Sequence, residues 1–222
     1  MKSSIKSIAT AALIAVLASS AQAVTYTGDI SVANSTLVLG GGWSNVTSGI
    51  LSWSINDTAN AGKWTYNYSF NLPGFSPDIS HAIIEVTAGA ALSDFQTTGG
   101  GTGNSVDTFS SANPSNPGLL GPIYGLKVNT PENSNEPFLW SVITTRAPVW
   151  HDFYAKGGSD SFAHNSGFLA ADPVSAPTNG SLNGHILSPN GSTTVPDGGL
   201  TVALLGLGLA ALAAGRRFFQ KL

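Results

Sequence analysis

Four aromatic residues at every second position, Trp64, Tyr66, Tyr68 and Phe70, alternate with Thr65, Asn67 and Ser69. A repeat of two places all four rings on one face of an extended chain, whereas a helix would scatter them around its axis. Just upstream, Leu51, Trp53 and Ile55 alternate with Ser52 and Ser54. The Asn, Asp and Gly of residues 56–63 supply turn chemistry between the two runs, which together read as an antiparallel hairpin with one apolar face. Further strands are expected at residues 25–32, 36–39, 81–86, 123–128, 138–143 and 149–154. Between them Asn71-Leu72-Pro73-Gly74, Gly99-Gly100-Gly101 and Asn113-Pro114-Ser115-Asn116-Pro117-Gly118 break the chain and exclude long helices. About eight short strands with turn-rich links predict an all-β chain, a single antiparallel β-sandwich or jelly-roll-like domain over residues 24–171. Residues 172–194, rich in Asp, Pro, Ser, Asn and Gly, read as a flexible spacer with a candidate last strand around His185-Ile186-Leu187.

Charge narrows the partners. The central segment, residues 24–195, carries four basic residues, Lys63, Lys127, Arg146 and Lys156, against eleven acids. So acidic a surface is repelled by a polyphosphate backbone, and nucleic acid is not expected as a partner. The chain has no cysteine, which excludes disulfides and thiol catalysis.

The two ends read as address labels. Lys2 and Lys6 precede an apolar run over residues 8–17, and Ala21-Gln22-Ala23 then offers the small residues a signal peptidase accepts. Residues 1–23 are therefore expected to be a removable signal peptide, cut after Ala23. At the other end Val195-Pro196-Asp197-Gly198-Gly199 leads into an apolar run over residues 200–215, followed by Arg216, Arg217 and Lys221. As a helix, residues 200–214 reach about 22 Å, short of the roughly 30 Å hydrocarbon core unless Phe218 and Phe219 contribute. The positive-inside tendency keeps the basic end cytoplasmic and faces the folded part outward.

This tail, residues 195–222, resembles the PEP-CTERM sorting signal of Gram-negative exported proteins in its VPDGG- or VPDSG-type variant. Asp197 and Gly198 stand where the commoner form has Glu and a second Pro. The resemblance implies processing near the motif by an exosortase, a membrane-embedded cysteine transpeptidase analogue. It also implies a transient inner-membrane anchor through the C-terminal transmembrane helix, then delivery to the cell surface or an extracellular, exopolysaccharide-associated matrix. Residues 147–156 with 165–168, and residues 116–125, resemble a stretch that recurs in a subset of PEP-CTERM proteins; this supports the class and implies no chemistry.

Catalytic patterns are weak. His151 and Asp152, with His164 downstream, are the sharpest candidates for a hydrolase, yet there is no Gly-x-Ser-x-Gly elbow, and neighbours on a strand point to opposite faces. Glu85, Asp94, Asp152 and Asp160 show no spacing that singles out a glycosidase pair. The glycines from Gly99 lack the Lys-Ser/Thr of a phosphate loop and read as a flexible hairpin loop. Oxygen ligands for calcium are offered by Asn56, Asp57 and Asn60, or by Asp160 with Asn165. His81, His151, His164 and His185 have no zinc-like spacing. Trp43, Trp150 and Tyr154, outside the alternating set, are candidates for exposed plates against sugar rings. The chain is thus expected to be an exported structural protein with no catalytic residue, cofactor or metal, with a polysaccharide-binding module as the alternative.

Overall fold

The structure, a computed structural model, describes residues 23–74, 78–112, 116–131, 137–158 and 160–189. Among them are thirteen strands and two single 3-10 turns. The first sheet contains β1 (Thr25–Ser31), β3 (Ile50–Asn60), β4 (Lys63–Asn71), β6 (Gln96–Thr98) and β9 (Phe138–Thr144), in the order β1-β3-β4-β9-β6. The second contains β2 (Leu37–Gly40), β5 (Ile79–Glu85), β7 (Ser105–Phe109), β8 (Ile123–Asn129), β11 (Phe153–Gly157) and β12 (Phe162–Asn165), in the order β2-β12-β11-β5-β8-β7. A two-stranded sheet pairs β10 (Pro148–His151) with β13 (Ile186–Pro189). Every strand pair is antiparallel. The chain is all-β with antiparallel sheets, an arrangement consistent with a β-sandwich.

The alternating aromatics build the core. Trp53 lies opposite Tyr68, and Tyr68 opposite Trp140, so one row of rings crosses three adjacent strands. Tyr68 and Trp140 stack with centroids 5.1 Å apart. Phe70 reaches the facing sheet and packs edge-on against Phe153 at 5.4 Å, joining both sheets in one apolar cluster. The buried phenols of Tyr66 and Tyr68 keep their hydrogen bonds, donating to the carbonyls of Arg146 at 2.8 Å and Leu187 at 2.9 Å. Burial raises both phenol pKa values well above the ordinary one.

Several expectations need correction. Residues 149–154 do not form one strand: the ladder stops at Asp152, so β10 pairs in one sheet and β11 in another. Trp150 and Phe153, three apart, both enter the core, and a continuous strand of period two cannot point both inward. Gly99–Gly101 is not a hairpin loop, because β6 and β7 belong to different sheets. At Gly99, where φ is +80°, a Cβ would come within 2.6 Å of the Leu139 carbonyl oxygen, so a close crossing rather than flexibility calls for glycine. The hairpin turn is shorter than expected, since β3 continues to Asn60 and β4 begins at Lys63.

The stretch read as a spacer lies against the domain through residue 189. Thr27, on the outer side of β1, donates its amide to Asn179 Oδ1 and accepts from the amide of Gly180. All four residues of β13 are buried. Among the described residues no helix is long and apolar enough to cross a membrane. Ala23 is exposed, whereas Ala21, the motif Val195, Pro196, Asp197, Gly198 and Gly199, and the basic Arg216, Arg217 and Lys221 lie outside the described residues.

Candidate functional site

The break at Asp152 gathers polar groups that the sequence keeps far apart. Where β11 hands over to β10, Glu85 at the end of β5 keeps Gly125 of β8 as its ladder partner on one side and bonds the junction on the other. Its amide donates to the Asp152 carbonyl at 2.9 Å, and its Oε2 accepts from the Asp152 amide at 3.1 Å. Asn165, fully buried on β12, donates from Nδ2 to Asp152 Oδ1 at 2.8 Å and accepts the Phe153 amide at 2.8 Å. Ser188 on β13 donates to the Glu85 carbonyl at 2.6 Å, and His151 Nδ1 sits 2.8 Å from the same hydroxyl. Because the single hydroxyl proton goes to a carbonyl, which only accepts, Ser188 takes its second bond from an Nδ1–H on His151.

Asp172 and His185 complete the cluster. His185 Nε2 is 3.6 Å from Asp152 Oδ1 and 3.6 Å from Asp172 Oδ1, while His151 Nε2 is 3.8 Å from Asp172 Oδ2. One donor atom from each of Asp152, Asp172 and His185 falls within 4.8 Å of the others, close enough to share one ion. Burial pushes the Asp152 carboxyl up to about 6, and the Asp172 charge adds to that against the Asn165 hydrogen bond. Burial likewise pushes Glu85 up to about 7, helped by the charges of Asp172 and Asp152. Burial also lowers the His151 pKa.

This arrangement does not make a serine nucleophile. Ser188 is fully buried with its proton on a backbone carbonyl, and the imidazole beside it donates rather than accepts. His164 stands apart from the suspected group, stacked on Phe162 and edge-on to Phe168, with Nδ1 bonded to the Asn165 carbonyl. Of the four carboxyl candidates, Glu85 and Asp152 meet at the junction, while Asp94 pairs with Arg146. The Ala91 amide, then Arg146, holds the Asp94 carboxyl below its ordinary pKa.

Of the expected calcium ligands, Asn56, Asp57, Asn60 and Asn165 are engaged elsewhere. Asn56 Oδ1 accepts from the amides of Thr58 and Ala59, Asp57 Oδ1 from the amide of Val24, and Asn60 donates to Thr65. Asn165 is held by Asp152 and Phe153. The apolar plates are also absent from their expected places: Trp43, Trp150 and Tyr154 are at most 1% exposed. The outer face of the first sheet instead presents a shallow concavity whose lining includes Ser52, Ser54, Asn67, Ser69 and Ser141. Asp172 and Ser188 escaped sequence reasoning because their spacing follows no motif, and Asn165 was singled out only as an oxygen ligand beside Asp160. The one available signal was the pair of inward aromatics, Trp150 and Phe153, bracketing a polar His-Asp.

Outside this cluster, His81 is a buried histidine with its own consequence. Its Nε2 lies 3.0 Å from Asn116 Oδ1 and donates to it, yet burial lowers its pKa to about 4, with Lys127 and Lys156 adding to the shift. Between pH 6.5 and 4 only the unfolded chain takes up this proton, so His81 removes stability as pH falls through that window, by on the order of 3 kcal/mol. The expected result is a shallower acid-side fall in unfolding free energy for His81→Gln than for the parent, measured by urea titration at pH 7 and pH 4.5. Parallel pH profiles for the two proteins count against it.

Comparison of the chain with protein-family models, with curated proteins and with solved structures finds no match.

Proposed function

We propose that this chain is an exported protein, sorted by an exosortase-type membrane protease to the cell surface or extracellular matrix, where its folded domain has a structural, non-catalytic role. The observation that carries the reading is the three-part tail: a Pro-Asp-Gly-Gly turn, an apolar run too short to span comfortably, and a basic stop. An apolar run after Lys2 and Lys6, closed by Ala21 and Ala23, supplies the matching export signal. The domain between them is read as a jelly-roll-like β-sandwich. Its buried serine and donor-locked histidine support a role without hydrolysis.

Intact-mass measurement on protein recovered from its native host tests this. The expected mature chain begins at Val24 and ends near residue 195, and a version lacking residues 196–222 fails to accumulate at the envelope or matrix. A full C-terminus on the recovered protein, or equal delivery of the truncated chain, overturns the reading.

A further inference from the structure

At the strand break, two imidazoles each turn Nε2 toward a carboxylate. His185 Nδ1 lies 3.3 Å from the Leu182 carbonyl, which only accepts, so the neutral imidazole carries its proton on Nδ1 and leaves Nε2 bare. That nitrogen belongs to a fully buried residue and has no hydrogen-bond partner. Its 3.6 Å distances to Asp152 and Asp172 are too long for hydrogen bonds. They are close to the about 3.3 Å that separates two ligands of one tetrahedral ion with metal–ligand bonds of about 2.0–2.1 Å.

We infer that Asp152, Asp172 and His185 form a binding site for one divalent transition-metal ion of the zinc class. Imidazole with two carboxylates suits such an ion, whereas calcium takes six to eight oxygens and magnesium keeps most of its water. The surroundings orient the ligands as metal sites require: Leu182 fixes the His185 tautomer, and Asn165 donates to Asp152 Oδ1. Gly167 lies close against the imidazole, where a Cβ would come within 2.6 Å of His185 Cε1. A cation also answers the charge problem, because buried carboxyls with raised pKa values gain a partner other than a proton. His151, with Nε2 facing the second oxygen of Asp172, is placed to become a further ligand. The ion joins the Asp152 break, the stretch after β12 and the residue before β13, three segments that a chain without cysteine cannot staple by disulfide.

The test uses the full chain, stripped with chelator and dialysed, then titrated with zinc chloride and in parallel with manganese and calcium chloride by calorimetry, with bound metal counted by mass spectrometry. One zinc per chain is expected. Asp172→Asn, which alters a half-exposed side chain, and His185→Gln each weaken zinc binding by at least about 100-fold, more than the loss typical of an outer-shell partner. Asp107→Asn, at an exposed position on β7, leaves the affinity unchanged. Near-ultraviolet circular dichroism of the buried tryptophans establishes that each variant is folded. No stoichiometric zinc on the folded parent, zinc binding unaltered in Asp172→Asn, or calcium bound in preference to zinc overturns the inference. Because the readout is metal on purified protein, its failure leaves the sorting proposal standing, and the reverse also holds.

Discussion

Phe70→Ala is expected to lower the unfolding free energy by about 3–5 kcal/mol, a large share of the roughly 5–15 kcal/mol that holds a typical domain together. The ring is fully buried and makes edge-on contacts with Trp43 at 6.0 Å and Phe153 at 5.4 Å. Its neighbours across the ladder are Leu51 and Phe138. Removing it leaves a gap between two sheets whose backbones are held in register by hydrogen bonds, so collapse around the gap is limited. Guanidinium denaturation is the appropriate measurement, with the midpoint falling and the slope unchanged. A loss below about 1 kcal/mol would show that the sheets do not share this contact in solution.

The second large effect is polar. Asn165→Ala removes a hydrogen bond to the Asp152 carboxylate and leaves the Phe153 amide without its acceptor in a fully buried position. Losing a bond to a charged group costs about 1.5–3 kcal/mol and stranding a buried donor about 1–3 kcal/mol. The melting temperature is therefore expected to fall by roughly 5–24 °C at neutral pH, using about 2–4 °C per kcal/mol for a domain of this size. Asn165→Asp separates the two contributions. It keeps an acceptor for Phe153 but replaces the donor with a second carboxylate facing Asp152, so it should rescue little. A variant of either kind that melts with the parent would mean the junction is not held by Asn165.

How much of this was visible in the residues depends on whether a pattern was local. The hairpin from β3 to β4 was legible because seven apolar residues alternate with polar ones, and both faces have different surroundings. The short β6 and β7 were missed because their residues are half-exposed or exposed and carry no inward apolar stripe. The break at Asp152 was hidden by the strand-forming character of its neighbours, Val149, Trp150, Phe153 and Tyr154. As one strand, residues 149–154 would point His151 and Asp152 to opposite faces, so the two do not read as an orienting pair. The polar cluster itself was out of reach, since Glu85, Asp152, Asp172 and His185 are brought together by sheet topology rather than by spacing.

The contacts of Thr27 with Asn179 and Gly180 bear on crowding. β1 is the border of the first sheet, and a border strand with open amides and carbonyls is a template on which a second copy can extend the ladder. Here a returning loop of the same chain occupies those groups at Thr27. Copies packed side by side at high density are thereby hindered from zipping into a shared, growing sheet along that border.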